Sequence, residues 1–314
     1  MKNNNPKGII LILIGMFIVS FMDATFKYIN TSVNLYEAYF VRTLISFGVI
    51  ASYLKITNKP IIFTTHYPLL TSIRVILFFF GFSSFYISLT IMPLATATAL
   101  FFASPFLMTI FAIFFLKEEV GIRRWSAVII GFIGVYIILN PDFNDFDYLS
   151  LTPVLCAFCY ALSMIIIKKT SDKDDVYSQM FHFYIFAITI SLIIYFFIGD
   201  GQYNNFDYPA SQFILRKWFS NLEFSLPYMI FIGVIGATGF LCFFTAYRIA
   251  SPAVVSPFEY SILAWASLNG WIFFDEIPNQ RTFVGMILIV CGSIYIFIRE
   301  KVQDQSIVTE KPLR

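Results

Sequence analysis

Apolar residues along this chain are grouped in ten long runs, separated by short segments that carry charges or turn residues. A helix needs about 20 residues to cross the roughly 30 Å hydrocarbon core of a bilayer. Each run therefore predicts one membrane-spanning helix, and the pattern as a whole predicts an all-α membrane protein with ten transmembrane helices. The predicted spans are 8–27, 34–53, 69–91, 94–115, 125–140, 149–167, 177–198, 226–247, 253–273 and 282–299.

The segments between the runs differ in charge from one side of the predicted membrane to the other. With the N-terminus placed in the cytoplasm, fifteen of the 21 Lys and Arg residues fall on the inner side. Only Lys27, Arg216, Lys217 and Arg281 fall outside. Cytoplasmic loops of membrane proteins carry an excess of Lys and Arg. We therefore predict a multi-pass protein of the bacterial inner membrane with both termini in the cytoplasm.

One pattern of four residues occurs twice, at an offset of 159 residues for its proline and 158 for the other three members. The first copy is Pro93, Glu118, Arg123 and Gly134, and the second is Pro252, Glu276, Arg281 and Gly292. Five spans in each copy, an odd number, make the second copy cross in the opposite sense. We therefore predict two inverted five-helix repeats, at 1–141 and 142–300, followed by a cytoplasmic tail at 301–314.

The composition supports a membrane protein and argues against other classes. Hydrophobic residues make up 58% of the chain and charged residues 13%, and the mean hydropathy is +0.76; a soluble domain of this size does not reach such values. The basic residues lie in short clusters, so no nucleic-acid partner is expected. Cys156 and Cys159 form a C-x-x-C without a second pair or nearby histidines, which favours helix packing over a metal site. No metal or cofactor is predicted.

Several motifs resemble the EamA type of the drug/metabolite transporter superfamily. They are Ser104-Pro105-Phe106, Phe115-Leu116-Lys117-Glu118-Glu119, Arg124-Trp125 and Gly131-Phe132-Ile133-Gly134 in the first half, and Ser256-Pro257-Phe258-Glu259-Tyr260, Trp265 and Phe274-Asp275-Glu276 in the second. The resemblance covers nearly the whole chain. It implies ten helices from two halves around a central cavity that opens to one side at a time. Some similar members take up or exchange S-adenosylmethionine, and others export amino acids or related metabolites.

Charges inside the predicted spans are the first candidates for a functional site, because burying one costs at least about 2.5–3.5 kcal/mol on insertion scales. Asp23 and Lys27 are four residues apart on one helix, where they could form a structural ion pair, a gate or a substrate contact. Arg42 could hold a substrate carboxylate, or pair with Asp23 or a backbone carbonyl. Arg74 could contact the substrate, although snorkelling to the cytoplasmic interface also explains it.

Glu259 is the strongest single candidate. It lies near the start of the ninth span, beside Tyr260 and behind Pro257, where a carboxylate could carry a proton or bind a cationic group. The alternative is that Glu259 pairs with Arg248 or another base on the inner side. Tyr86 supplies a hydroxyl near the middle of the third span, which could line a cavity or join helices.

Three further predictions concern the backbone and the connections. Pro105 in the middle of the fourth span should kink that helix, because proline removes a backbone hydrogen bond. Phe213 and Trp218 belong to an amphipathic stretch that predicts either a short interfacial helix or an ordered loop. The repeated glutamates, Glu118 and Glu276, are interpreted as turn residues at the two surfaces.

These patterns predict a secondary transporter of a small polar or zwitterionic metabolite, of the amino acid or S-adenosylmethionine type, and not an enzyme. No G-x-x-x-x-G-K-[ST] motif occurs in the sequence, so direct ATP drive is not expected. The alternatives are a membrane-embedded lipid-modifying enzyme, which would need clustered His, Asp or Cys residues, and a channel. Exchange, proton coupling and facilitated diffusion remain open as mechanisms, and so does a homodimer.

Overall fold

The computed structural model describes residues 5–116, 122–139, 147–170, 172–250 and 256–291, and all regular structure in these ranges is helical. The α-helices are α1 Asn5–Ile29, α2 Leu35–Ile56, α3 Pro68–Ser88, α4 Leu94–Phe101, α5 Ser104–Leu116, α6 Ile122–Leu139, α7 Thr152–Thr170, α8 Val176–Ile198, α9 Pro209–Leu215, α10 Leu222–Ile249, α11 Ser261–Phe274 and α12 Gln280–Cys291. Two 3-10 helices, Tyr148–Leu151 and Ser256–Tyr260, precede α7 and α11.

Six of the helical segments in the described ranges are long and apolar enough to cross a membrane: α1, α2, α3, α8, α10, and α7 together with its 3-10 turn. They coincide with predicted spans one, two, three, six, seven and eight. Shorter helices occupy the other predicted spans, and α12 reaches the end of the described residues at Cys291. The all-helical membrane fold is confirmed, and the count of ten spans in two inverted repeats stays a prediction.

The fourth predicted span is broken near its middle. Helix α4 ends at Phe101 and α5 begins at Ser104, with Phe102 and Ala103 closing a tighter turn through backbone bonds of 3.1 Å. Pro105 has no N–H to offer the Phe101 carbonyl four residues earlier, so the regular helix cannot continue through this point. The predicted kink at Pro105 is therefore present as a complete helix break.

The ninth predicted span is also irregular. Its described part starts as a 3-10 helix over Ser256–Tyr260 before α11 begins at Ser261. Helix α11 ends at Phe274, and the residue that caps it, Asp275, adopts the left-handed conformation with φ of 53°. The next N–H, that of Glu276, bonds to the Gly270 carbonyl at 3.0 Å. In membrane proteins non-helical backbone is tolerated where it is buried in protein or lines a cavity. Both irregular segments contribute to the site described below.

Small residues let the long helices approach closely. A Cβ on Gly81 of α3 would lie 2.6 Å from the Cβ of Cys159 on α7, and one on Gly233 of α10 would lie 2.8 Å from the Cβ of Ile45 on α2. Ser46 strengthens the second contact by donating to the Gly233 carbonyl at 2.7 Å. Cys156 and Cys159 are free thiols, and Cys159 serves the helix packing that its sequence context favoured.

The long connection between α8 and α10 folds back onto the protein. It contains the short helix α9, which includes Phe213 and ends at Leu215, whereas Trp218 lies in the loop that follows; both side chains are buried. Asn34 donates to the carbonyls of Ile214 and Arg216 at 2.5 and 2.8 Å. The connection is thus tied to the turn between α1 and α2.

The helices define two faces of the molecule, which we name after one residue in each. The Lys27 face holds the end of α1, the starts of α4 and α10, and the turn after α11. The Asp174 face holds the segment 57–67 between α2 and α3, the turn between α7 and α8, and the end of α10.

Candidate functional site

A small cavity lies inside the bundle, between α1, α3, α4, α7, α10 and α11. Seven of its fourteen lining side chains are phenylalanines, and the polar ones are Asp23, Thr98 and Tyr160. Its free volume is about 30 Å³, room for about two water molecules. The faces of aromatic rings attract cations, so an aromatic cavity with one carboxylate suits a positively charged group. A metabolite enters only when the helices move apart.

Asp23 lines the cavity, and two other predicted residues, Tyr86 and Arg42, lie behind it without lining the cavity themselves. Its buried carboxylate accepts a hydrogen bond from the Tyr86 hydroxyl at 3.2 Å. The ring of Tyr86 stacks on Phe26 with centroids 4.0 Å apart, which fixes the direction of the hydroxyl. Arg42 is the basic residue whose charge acts on Asp23. Three of the candidates named from the sequence, Asp23, Tyr86 and Arg42, therefore form one cluster.

Arg42 is held by aromatic rings rather than by an ion pair. Its guanidinium carbon lies 4.4 Å from the ring centre of Tyr39, 5.4 Å from that of Phe26 and 5.9 Å from that of Phe240. The hydrogen-bond partner of Arg42 within the described ranges is the Met22 sulfur, at 3.8 Å. Cation–π contacts of this kind gain strength when they are desolvated. Arg42 thus places a positive charge behind Asp23 without neutralising it directly.

Glu259 lies one side chain behind the cavity wall. Its carboxyl is fully buried, and one oxygen, Oε1, accepts from Tyr160 at 2.8 Å and from Tyr247 through a short hydrogen bond. The second oxygen, Oε2, has no hydrogen-bond partner among the described residues. The alternative partner Arg248 instead donates to the Asp174 carbonyl at 2.6 Å. Tyr160 is the link, because it lines the cavity and binds Glu259.

Tyr260 does not join this cluster. Its ring packs against Phe102, in the break between α4 and α5, with centroids 4.6 Å apart. The two irregular helix segments therefore touch each other through these rings. Tyr260 is not among the residues that line the cavity, so its place in the structure favours a packing role.

Lys27 pairs with Glu276 rather than with Asp23. Its ammonium donates to both carboxylate oxygens of Glu276, at 2.6 and 2.8 Å, and to the Met92 carbonyl at 3.1 Å. The Leu94 N–H, at the start of α4, donates to the same carboxylate at 3.1 Å. Glu276 is therefore more than a turn residue, because it joins three segments of the chain. An open depression of about 510 Å³ lies above this pair on the Lys27 face.

A second polar cluster closes the Asp174 face. The buried Asp174 carboxylate accepts from the Thr65 hydroxyl at 2.5 Å and from the His66 N–H at 2.9 Å, with the His66 ring at 3.3 Å. Burial alone would raise the pKa of Asp174, but the hydrogen bonds from His66 and Thr65 outweigh it and hold that pKa below its ordinary value. With Arg248 on its carbonyl, Asp174 joins three segments.

Arg74 differs from its simplest sequence interpretation. Its side chain is buried, only 1% exposed, and donates to the Gln179 carbonyl at 2.8 Å. Snorkelling towards an interface is therefore not observed. Because α3 begins at Pro68, one turn and a half earlier, Arg74 already lies below the surface of the packed helices. It binds α8 near the Asp174 face and does not line the cavity.

Sequence analysis identified the charged residues of the site but not the residues that bind them. Tyr160, Tyr247 and Asp174 carry no sequence signal of their own, because tyrosines in apolar runs and aspartates in loops are common. Glu276 did carry a signal, since it belongs to the repeated pattern. That pattern could have suggested a contact between the halves as well as a turn.

The chain matches the sequence model of the EamA-like transporter family twice, at residues 6–140 and 149–298. The S-adenosylmethionine uptake transporter of Rickettsia prowazekii is 29% identical over 296 residues, which cover 94% of this chain and 93% of the relative. The pseudopaline exporter of Pseudomonas aeruginosa is 23% identical over 288 residues, covering 91% and 94%.

Two further comparisons cover different amounts of the chain. The riboflavin transporter of Vibrio cholerae is 30% identical over 204 residues, 65% of this chain and 62% of the relative. One solved crystal structure superposes with a TM-score of 0.63 at 14% identity, covering 91% of this chain and 95% of its own; this likeness shows the fold alone. The named relatives are transporters of small molecules.

Proposed function

Because this chain belongs to the EamA-like transporter family, we propose that it is a secondary carrier for a small metabolite with a positively charged group. S-adenosylmethionine and amino acids are the substrate types. The observation that carries the proposal is the small aromatic cavity with the Asp23 carboxylate in its wall. A sulfonium or ammonium group would be stabilised there by the carboxylate and by the faces of the phenylalanine rings.

The proposed mechanism is alternating access between two inverted five-helix repeats, 1–141 and 142–300, across the bacterial inner membrane. The two separate matches to the family, at 6–140 and 149–298, support this division. The distribution of Lys and Arg supports an orientation with both termini and the Asp174 face in the cytoplasm and the Lys27 face outside. The ten spans that it requires follow the ten apolar runs.

Arg42 suits a zwitterionic substrate better than a simple cation. Its positive charge lies behind Asp23 and offsets the negative charge of that carboxylate, so the empty cavity is close to neutral. A substrate with one positive group and one carboxylate leaves the net charge of the site unchanged when it binds. A substrate that carries a net charge would add a buried charge to the site, which is costly. S-adenosylmethionine, the molecule in the name of the Rickettsia prowazekii relative, has a carboxylate, an ammonium and a sulfonium group. Its amino-acid part leaves the net charge unchanged, and the additional sulfonium charge would lie against the faces of the aromatic rings.

Both faces carry polar contacts that must open in turn. The Lys27 cluster, defined as Lys27, Glu276, the Met92 carbonyl and the Leu94 N–H, joins the two proposed repeats outside. The Asp174 cluster, defined as Asp174, Thr65, His66 and Arg248, joins them inside. With both clusters formed and a small cavity between them, the structure corresponds to a closed intermediate of the proposed cycle.

Counterflow in proteoliposomes tests this function. The purified carrier would be reconstituted into proteoliposomes that are loaded with unlabelled S-adenosylmethionine or an amino acid. The entry of labelled substrate from outside would then be measured. Asp23→Asn keeps the size of the side chain but removes its charge, so counterflow should fall at least about tenfold, the effect of losing 1.4 kcal/mol of binding. Asp200→Asn, in an exposed loop that does not line the cavity, is the matched control.

The outcomes separate the alternatives. Unchanged counterflow in Asp23→Asn would remove Asp23 from the substrate site. No counterflow by the wild-type protein with any substrate of the panel would contradict the carrier function. Flux that rises linearly with concentration and shows no counterflow would indicate a channel.

A further inference from the structure

Glu259 has an unusual hydrogen-bond arrangement for a buried carboxylate. Tyr160 and Tyr247 both donate to Oε1, whereas Oε2 is buried without a partner among the described residues. An ionised carboxylate offers about four acceptor positions over two oxygens. A bare, fully buried oxygen that carried half of a negative charge would be costly. The arrangement fits a carboxyl group whose Oε2 carries a proton.

Among the described residues, the charges around Glu259 do not provide a counter-ion. The 3-10 helix that carries Glu259 packs against α1 and α11, and α11 contains no charged residue. On α1, Asp23 faces the cavity, Lys27 binds Glu276 and Lys7 is exposed.

The helices that supply Tyr160 and Tyr247, α7 and α10, also provide no counter-ion for Glu259 among their described residues. Arg248 on α10 is bound to the Asp174 carbonyl, and Glu223 is in the first turn of that helix, at its other end. The basic residues of α7, Lys168 and Lys169, lie in its last turn, two turns beyond Tyr160. Within the described ranges, the titratable groups that act on Glu259 are Tyr160 and Tyr247, and Tyr260 is its neighbour in the sequence. Electroneutrality is therefore met most simply by a proton on the carboxyl group itself.

We propose that Glu259 is the site at which this carrier binds and releases a proton, so that substrate movement is coupled to a proton gradient. The inference rests on the transport function proposed above and adds the coupling ion to it. Substrate and proton occupy different groups, because Asp23 lines the cavity whereas Glu259 lies behind Tyr160. Asp23 thus binds the metabolite, and Glu259 binds the proton.

The structure also contains a connection between Glu259 and the opening of the Asp174 face. Tyr247 donates to Glu259, and the next residue, Arg248, binds the Asp174 carbonyl. When the Asp174 cluster opens, the end of α10 moves and carries Tyr247 with it. Water that enters from this face then reaches Oε2. Movement of Tyr160 around a bound substrate would change the hydrogen bonds of Glu259 from the cavity side.

The proton step is a simple acid–base exchange. With the site open to one compartment, a hydronium ion gives its proton to Oε2, an O–H bond forms and a water molecule is left. After reorientation that O–H bond breaks, the proton passes to water in the other compartment, and the carboxylate remains. No oxidant, reductant or second substrate is required.

Proton movement in the wild-type carrier is the first measurement. Proteoliposomes would contain a trapped pH-sensitive dye, with the membrane potential clamped by potassium and valinomycin, and S-adenosylmethionine or an amino acid that passes the counterflow test would be added. We expect a substrate-dependent pH change inside. A gradient of about one pH unit should support up to about tenfold accumulation for one proton per substrate. Counterflow without any proton flux would overturn this proposal but leave the carrier function intact.

The variant test separates coupling from binding. Glu259→Gln keeps the size and one acceptor oxygen but cannot exchange a proton, so gradient-driven accumulation should be lost while counterflow persists within about threefold of wild type. Glu259→Asp keeps an ionisable group and should restore part of the gradient response. Accumulation that survives in Glu259→Gln would overturn the proposal. So would a large rise in the substrate KM for counterflow in that variant, because Glu259 would then contact the metabolite.

Discussion

The two faces of this molecule are closed by contacts of different kinds. At the Lys27 face one lysine and one glutamate, with side chains 10% and 25% exposed, form a single ion pair. At the Asp174 face a buried aspartate collects three hydrogen bonds from residues 65–66, and its carbonyl accepts from Arg248. One face depends on two opposite charges, and the other depends on several donors around one charge.

This difference predicts unequal responses to substitution. Removing one member of a partly buried ion pair leaves the other charge without its partner, which costs more than the pair itself contributes. Removing one donor from a group of several leaves the remaining bonds in place. One substitution should therefore shift the Lys27 face strongly towards its open state, whereas any single substitution should shift the Asp174 face only slightly.

The largest expected effect follows from Lys27→Met. A single cysteine at Thr98, which lines the cavity, in a background without the native cysteines would report opening to an impermeant maleimide. Labelling from the Lys27 face should rise about tenfold, the effect of shifting the equilibrium by 1.4 kcal/mol. The reason is that the unpaired Glu276 carboxylate is better solvated when this face is open.

The double variant Lys27→Met with Glu276→Gln is the control for that experiment. It removes both charges, so labelling should return to within about twofold of wild type if charge pairing is the cause. Equal labelling of the wild-type protein and Lys27→Met would show that the ion pair does not hold this face closed.

A smaller effect is expected from Asp174→Asn. The amide oxygen still accepts from Thr65 or His66, but the charge is lost and the amide nitrogen cannot accept, so one or two of the bonds weaken. Labelling of the Thr98 cysteine from the Asp174 face, measured in inverted vesicles, should rise about threefold. Asp172→Asn is the matched control, because the Asp172 carboxylate accepts from the Tyr67 hydroxyl in an exposed contact, its one hydrogen-bond partner among the described residues. An equal rise in both variants would contradict the assigned role of Asp174.

The smallest effect is a pH dependence confined to strong acid. The pKa of Asp174 is held below its ordinary value of 3.8, so its contribution to the closed state is fully present above that value and is lost as the pH falls through the lowered pKa. The labelling rate from the Asp174 face, divided by the rate for a free thiol at the same pH because only the thiolate reacts, should stay constant between about pH 8 and pH 5 and should rise only below about pH 4. Asp174→Asn should abolish this acid rise, and a midpoint near neutral pH would assign the opening to another group.

Sequence analysis predicted the position of the site better than its contacts. Asp23, Arg42 and Tyr86 are recognisable because polar side chains are rare in apolar runs, and they meet in one cluster. The sequence offered Asp23 as one possible partner of Lys27, because helical spacing shows only neighbours on the same helix, and the structure pairs Lys27 with Glu276 instead. Glu276 lies 249 residues away along the chain and reaches Lys27 only through the packing of α11 against α1.

The same limit applies to Glu259. Its burial follows from an apolar span, so a proton or a cation could be expected there from the sequence. Which of its oxygens is bound, and by which hydroxyls, depends on Tyr160 and Tyr247 from two other helices. These tyrosines look like any other aromatic residue of an apolar run, since a hydroxyl in a span has no periodic signature.

The sequence by itself determined the membrane class, the helical architecture, the helix break at Pro105 and the family. Each of these follows from local physics: apolar length matched to a bilayer, a missing N–H in proline, and motifs that lie within a few residues of each other. Only the tertiary structure decided that Lys27 binds Glu276, that Arg42 rests on aromatic rings and that Arg74 is buried. It also decided that Oε2 of Glu259 has no hydrogen-bond partner in the part of the chain that the structure describes. These facts depend on which faces of distant helices meet, and a side chain's partner is chosen by that packing rather than by its neighbours along the chain.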